Sequence, residues 1–444
     1  MMGAFVWRKK CGHASGQDET AVGGPKEDAP VTKHPLLERM LSRPNMITAL
    51  RQVKANKGAP GVDGMRVDDL DAFLKESWIE IKGKLLSGTY IPSPVKRVTI
   101  RKPSGGERHL GIPTVLDRLI QQAILQVLQP EWDETFSESS FGFRPDRSAH
   151  QAILSAQENL RQGRHWVVDM DLEKFFDRVN HDKLMIRVKK RVSDKRVLRL
   201  INAFLKSGVV INGKYEPTLE GTPQGGPLSP LLANLLLDDL DRELERRGHR
   251  FARYADDCNI YVKSKRAGMR VLKSITRFLT KTLRLKVNDA KSAVDRPWKR
   301  VFLGFTFNWK PPYRRKVSDK AIKALKDKIR LITKRTRGRS IKQIIPELGM
   351  YLIGWKGYFG FAEITSPIRD VDKWIRRKLR CYLWKQWGRS GYRELRKLGV
   401  SRELAWNTAK SAHGPWRLSL SPALSYALTA KYFASLGLPS LVDV

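Results

Sequence analysis

Residues 251–262 read FARYADDCNIYV: an apolar and aromatic run leads up to two adjacent aspartates, Asp256 and Asp257, and a second apolar run leads away. Strand-forming ends around turn-favouring acids predict a β-hairpin with the carboxylates at its tip. An acidic doublet is also easily placed as a solvated turn, so its meaning depends on what the chain brings to it. A second acidic segment, WVVDMDL at 166–172, is the expected partner. Side chains alternate along a strand, so Asp169 and Asp171 share one face while Val168, Met170 and Leu172 take the other. Carboxylates converging at a strand end and a neighbouring hairpin repel unless cations lie between them. Mg²⁺ is the natural occupant, being hard, oxygen-seeking and commonly shared with phosphate.

Charge supplies the phosphate. Lys and Arg number 84 against 45 Asp and Glu in 444 residues, a net charge of +39. Self-repulsion on that scale is costly without a polyanionic partner, and nucleic acid fits better than an anionic membrane. No apolar run approaches the length of a membrane span, and the N-terminus lacks a secretory apolar core. The three cysteines, Cys11, Cys258 and Cys381, have no metal-ligand spacing and allow at most one disulfide, which suits a reducing cytoplasm. Cys11 and His13 alone make a poor metal site. The histidines are dispersed; His109, His150 and His165 read as surface or packing residues, and no Ser/His/Asp arrangement or nucleotide-binding GxxxxGK[ST] loop occurs. Acids at a hairpin in a strongly basic chain therefore suggest nucleotidyl transfer by two metal ions. Asp171, Asp256 and Asp257 are the expected catalytic residues and Mg²⁺ ligands, with Mn²⁺ able to substitute. Asp169 competes with Asp171 on the same strand face. The residues alone do not separate the two, although Asp171 stands nearer the turn into 173–176.

The remaining pattern is that of an α+β chain with helices behind an antiparallel sheet. Residues 1–32 have no period and read as a flexible tail. Helices are expected over 36–54 and 67–86, then a basic hairpin with strands 92–100 and 108–112 around KPSGGE. An apolar stripe from Val115 to Leu128 predicts a core helix ending before Pro130. A helix over 148–160, the acidic strand, helices to about 205, and a rigid EGTPQGGPLSP loop at 220–230 opening a further helix follow. The Asp hairpin, a helix over 266–283 and a hairpin within 300–309 complete this part. Residues 311–346 then hold 13 Lys/Arg against 2 Asp/Glu. Ile322, Leu325, Ile329 and Ile332 predict a surface helix with a basic outer face. A second such helix over 369–387 turns Val371, Trp374, Leu379 and Tyr382 inward. The one-sided charge favours phosphate contact over a merely solvated face. Trp406, Trp416, Tyr426 and Tyr432 suit base stacking and the anchoring of a small helical unit equally well.

Around the acids, Lys102 and Arg108 flank the basic hairpin and can clamp a triphosphate. Phe176, five residues after Asp171, can exclude a 2′-OH, leaving adjacent Phe175 to the core. Gln224 and Gly225 are expected to begin a helix whose free N–H groups lie near the nucleotide or template base. Lys291 can protonate pyrophosphate or bind phosphate.

Together, KPSGGER at 102–108, GIPT at 111–114, SFGFRP at 140–145, DMDLEKFFD at 169–177, EGTPQGGPLSPLLAN at 220–234, YADD at 254–257 and FLGF at 302–305 closely resemble the bacterial group II intron reverse transcriptases/maturases, from about residue 36 to near the C-terminus. The compact members encoded in class C introns are the most similar. The resemblance implies a right-hand polymerase: N-terminal extension and fingers over 33–165, a palm over 166–310 with a fingers segment interleaved at about 178–220, a helical thumb (domain X) over 311–388 and a small DNA-binding region over 389–444. Its DxxxxF pattern selects Asp171 as first catalytic aspartate and Phe176 as sugar gate. It implies triphosphate contacts at Lys102 and Arg108, and Gln224 beside the nucleotide. Implied partners are intron RNA, an RNA template with a DNA primer, dNTPs and target DNA, in a bacterial cytoplasm, as monomer or dimer. Many relatives end in a Cys- and His-bearing HNH endonuclease. No cysteine follows Cys381 here, so second-strand cleavage is expected to be absent and a ready 3′ end, as at a replication fork, to be used. The alternatives are a reverse transcriptase of another lineage, such as retron, diversity-generating or repair types, and a splicing cofactor that keeps the fold only to bind RNA.

Overall fold

The computed structural model describes residues 35–101 and 106–442, so the expected N-terminal tail and most of the KPSGGE turn lie outside the described residues. Helices α1 (Leu36–Met40) and α2 (Arg43–Ala55) replace the single helix expected at the start, because Pro44 fixes a new helix beginning. Helix α3 (Leu70–Ser87) leads to the hairpin β1 (Val95–Arg101) and β2 (Glu107–Ile112). Helix α4 (Val115–Asp133), capped by the Thr114 hydroxyl, runs through Pro130 instead of stopping before it. Leu128 and Trp132, one turn apart and both buried, hold that last turn in the core and outweigh the lost backbone hydrogen bond. Ser148 and Gln151 form a capping box for α5 (Ala149–Arg161).

Strand β3 (Trp166–Met170) is followed by α6 (His181–Arg191), α7 (Lys195–Leu205), β4 (Val209–Ile211) and β5 (Lys214–Glu216). Then come α8 (Ser229–Arg246), the hairpin β6 (Arg250–Tyr254) and β7 (Asp257–Val262), α9 (Lys265–Phe278) and β8 (Ala293–Asp295). One four-stranded sheet has the order β2-β1-β4-β5; the other, β6-β7-β3-β8, is antiparallel throughout and sets Asp169 opposite Asn259. Period-two alternation divides the second sheet between two cores. Val168, Met170, Cys258 and Ile260 join α8 and α9 in the first core. Val167, Ala252 and Tyr261 face α5 and the C-terminal helices in the second. Both faces are covered, where sequence reasoning anticipated helices behind the sheet.

The hairpin expected within 300–309 forms differently. Phe302 and Phe305 make a tight turn, and β9 (Phe305–Phe307) pairs with β10 (Arg315–Val317), because the Phe305 and Phe307 rings are buried in the second core. The rest is helical: α10 (Asp319–Ile332), α11 (Ile341–Phe359), α12 (Ser366–Trp387), α13 (Gly391–Lys397), α14 (Arg402–Lys410), α15 (Pro415–Leu418), α16 (Pro422–Ala427) and α17 (Ala430–Ser435). Leu325, Ile329 and Ile332 of α10 and Val371, Leu379 and Tyr382 of α12 are buried as their spacing requires. Trp374 turns only partly inward, with Lys326, Arg330 and Lys378 around its ring. Trp406, Trp416 and Tyr426 are exposed, while Tyr432 packs on the core. The chain thus combines a mixed α/β N-terminal part with a helical C-terminal region. Among the described residues no helix is long and apolar enough to cross a membrane.

Candidate active site

The β6–β7 hairpin turns at Ala255 and Asp256, with Ala255 in the left-handed region at φ +56°. A fully buried guanidinium holds this turn. Arg253 donates through Nε and Nη2 to the two carboxylate oxygens of Asp241 at 2.7 and 2.5 Å, and through Nη1 to the Ala255 carbonyl at 2.9 Å. It also donates to Asn234 Oδ1 at 3.1 Å and Ser140 Oγ at 2.7 Å, while Asn234 Nδ2 donates to the Gly142 carbonyl at 2.8 Å. Residues 139–141 run beside β6, with Phe141 N–H donating to the Arg253 carbonyl and Arg253 N–H to that of Ser139, both at 2.9 Å. The contact continues at Gly142, where a Cβ would stand 2.3 Å from the Ala255 nitrogen, so only glycine fits beneath the turn.

Asp257 opens β7. Burial pushes its carboxyl well above the usual carboxylate range, and repulsion from Asp169, Asp256 and Asp171 pushes it further, against the attraction of Arg300. Asp169 is mostly buried and is met by Arg300, whose Nη2 and Nε lie 2.5 and 2.7 Å from its Oδ2. Burial nonetheless raises the Asp169 carboxyl, with the Arg300 charge opposing and Asp171 adding to the rise. Asp171 is more exposed. Its carboxylate lies 3.4 Å from Lys291 Nζ, and its backbone is fixed by an N–H bond to Ser292 Oγ at 3.0 Å and by a bond from Asn288 N–H at 2.8 Å. Arg300 also donates to the Lys291 carbonyl at 2.5 Å, tying that loop to Asp169.

The two acids that sequence left in competition therefore differ in surroundings: Asp169 is neutralised by an arginine, and Asp171 faces outward beside a lysine. Among the described residues no group of three or more Asp, Glu, His or Cys side chains is gathered closely enough to cage a metal ion. The donors present are carboxylate oxygens that repel one another, chemistry that fits a hard divalent cation.

Phe175 is buried and Phe176, only partly buried, packs against the same core, their rings edge to face at 5.2 Å. Gln224 and Gly225 do not begin a helix, since α8 starts at Ser229. Their loop packs back on β2 instead: Gly111 N–H donates to the Gln224 carbonyl at 3.0 Å. Gly225 has φ +145°, and a Cβ there would lie 2.3 Å from the Gly111 carbonyl oxygen. Lys102 lies outside the described residues, and only the backbone of Arg108, on β2, is described. Sequence reasoning missed Arg253, Asp241, Ser292 and Arg300. RYADD places Arg253 next to the doublet, but strand alternation alone gives no reason to bury an arginine. Its partner is 12 residues away, on a helix read as apolar.

Residues 100–307 match the family model described as "Reverse transcriptase (RNA-dependent DNA polymerase)", and residues 322–399 match "Group II intron, maturase-specific domain". Protein YkfC of Escherichia coli (strain K12) is 34% identical over 300 residues, 58% of this chain and 78% of that protein. The group II intron-encoded protein LtrA of Lactococcus lactis subsp. cremoris is 39% identical over 208 residues, 46% of this chain but 34% of its own length. Nuclear intron maturase 2, mitochondrial, of Arabidopsis thaliana is 30% identical over 177 residues, 31% of this chain and 24% of that one.

Proposed function

The chain belongs to the group II intron-encoded reverse transcriptase/maturase family, and on that premise we propose that it is an RNA-directed DNA polymerase that copies intron RNA and stabilises that RNA in its splicing-competent fold. The observation that carries the reading is the meeting of Asp169, Asp171, Asp256 and Asp257 at one end of the β6-β7-β3-β8 sheet, where burial and then repulsion from the other three raise the Asp257 carboxyl.

In this reading the sheet with α8 and α9 is the palm, the elements before it and the 178–220 segment are the fingers, α10–α12 the thumb, and residues 389–444 a DNA-binding region. Asp171, Asp256 and Asp257 would hold two Mg²⁺ ions, which would supply acidification of the primer 3′-OH and neutralisation of the triphosphate. The 3′ oxygen forms a bond to the α-phosphorus as the bond to the β-phosphate oxygen breaks. The hydroxyl proton passes to water, pyrophosphate leaves with a proton from Lys291, and water returns a proton to the lysine. Lys102 and Arg108 bind the triphosphate, the Gln224–Gly225 loop lies beside the nucleotide, and Phe176 excludes a 2′-OH, so the product is DNA. The basic helices α10 and α12 hold RNA, and target DNA meets the C-terminal helices. The compact class C type is the subtype we assign.

Primer extension on an RNA template, with dNTPs and rNTPs compared, tests this. Wild type is expected to extend with dNTPs and Mg²⁺, and Asp256→Ala to lose extension while keeping intron RNA affinity within a few-fold. Equal loss of both would count against separate catalytic and binding surfaces.

A further inference from the structure

Between α10, α12 and α15 lies a cavity of about 160 Å³ lined by Thr333, Arg335, Lys378, Cys381, Tyr382 and Trp416. Its charge is one-sided. Nearby cations have partners: Arg330 pairs with Asp327, and Arg337 and Arg339 with Glu347. Among the described residues no carboxylate pairs with Arg335 or Lys378. Burial holds the ammonium of half-buried Lys378 below the usual lysine range, and Arg330 and Arg335 add to the fall against an opposing effect of Cys381. A third cation closes the group. Arg377 stands over the Trp416 ring, 3.9 Å from its centroid, and donates to Ser419 Oγ at 3.3 Å. The hydroxyls on the wall are already committed as donors, Thr333 to the Ile329 carbonyl and Tyr382 to that of Arg339. Apart from the neutral Cys381 thiol and the Trp416 ring, what remains on the wall is positive.

Two cations drawn into one concavity without a counter-charge repel, as the carboxylates do at the other site, and an anion relieves them. The volume admits several waters, and so leaves room for one phosphoryl group. Arg and Lys together suit a phosphate, the one by its planar fork and the other as a point charge. We propose that this cavity seats a single backbone phosphodiester of a nucleic-acid strand passing from the α10–α12 helices to the C-terminal helices. It is a contact separate from the acid cluster, and it rests on the reading of the chain as a nucleic-acid-binding protein.

The test compares the full chain with Arg335→Gln, Lys378→Gln and the double variant. Affinity is measured across a salt series for three fluorescent probes: single-stranded RNA, an RNA–DNA hybrid and double-stranded DNA. For the probe whose strand occupies the cavity, the double variant should bind roughly tenfold more weakly at physiological salt, with the log–log salt slope smaller by about 1. The probe that loses affinity identifies the strand. Free-protein Tm should be unchanged or raised, because a repulsion has been removed. Should Lys378→Gln lower Tm, the exposed Arg335→Gln variant decides by the same slope. Wild-type binding with an unaltered slope in all three arms overturns the proposal. A wild type that binds none of the probes overturns instead the nucleic-acid reading beneath it.

Discussion

Asp257 sits where burial and three neighbouring carboxylates all oppose its charge. Its folded-state pKa therefore exceeds the unfolded one. Its contribution to stability is complete below the unfolded value near ~4 and is lost as pH rises through the folded value. Asp257→Asn, scanned calorimetrically without divalent cations, is expected to raise Tm by roughly 2–4 °C at neutral pH. The gain should vanish below about pH 4, where the wild-type carboxyl is protonated in both states; a gain independent of pH would reject charge as its source. Arg253 presents the opposite case. Arg253→Met leaves Asp241 buried and unpaired, at a cost of about 3–5 kcal/mol in urea denaturation. Adding Asp241→Leu should recover most of it, and a double variant as unstable as the single one would show that the guanidinium's other bonds dominate.

The β6–β7 hairpin owes its position to the strand-like segment 139–141 and to the glycine that lets that segment approach. Gly142→Ala must push the Ala255 turn aside, so primer extension is expected to slow by tenfold or more, about 1.4 kcal/mol of barrier. RNA binding should stay within a few-fold, and a variant with wild-type extension rate would remove Gly142 from this role. The hairpin itself was legible from FARYADDCNIYV because turn chemistry and apolar alternation act over a few residues. So were β3, the amphipathic stripe of α10 and the exclusion of Asp169 and Asp171 from the Val168–Met170 face. What was not legible depends on distant partners. The β9 pairing with β10 is decided by burial of Phe305 and Phe307, and α4 continues through Pro130 because Trp132 is buried. Likewise Arg300 reaches Asp169 across 131 residues of sequence, a separation that no local pattern reports.

Two cores share the molecule, and within the second a polar junction ties α5 to the segments around Tyr313 and Glu363. Gln157 of α5 donates from Nε2 to the Tyr313 carbonyl at 3.0 Å and to Glu363 at 2.9 Å, and its Oε1 accepts from Arg315 at 2.6 Å. Close by, the His150 ring stacks on Phe361 at 4.3 Å. Gln157→Leu strands several of these groups, at a cost of about 2–4 kcal/mol. Urea denaturation followed by circular dichroism checks this, and an unchanged midpoint would mean that the junction contributes nothing to stability. That second core has a further consequence. It draws Phe141, Ala152, Ile153, Ala156 and Leu160 from well before the change in composition at Pro311, and packs them with residues as late as Leu441. A truncated protein cut at that compositional seam would bare a greasy flank of α5. Anyone trimming this chain to a minimal copying module should expect precipitation, because the seam in the sequence is not a seam in the fold.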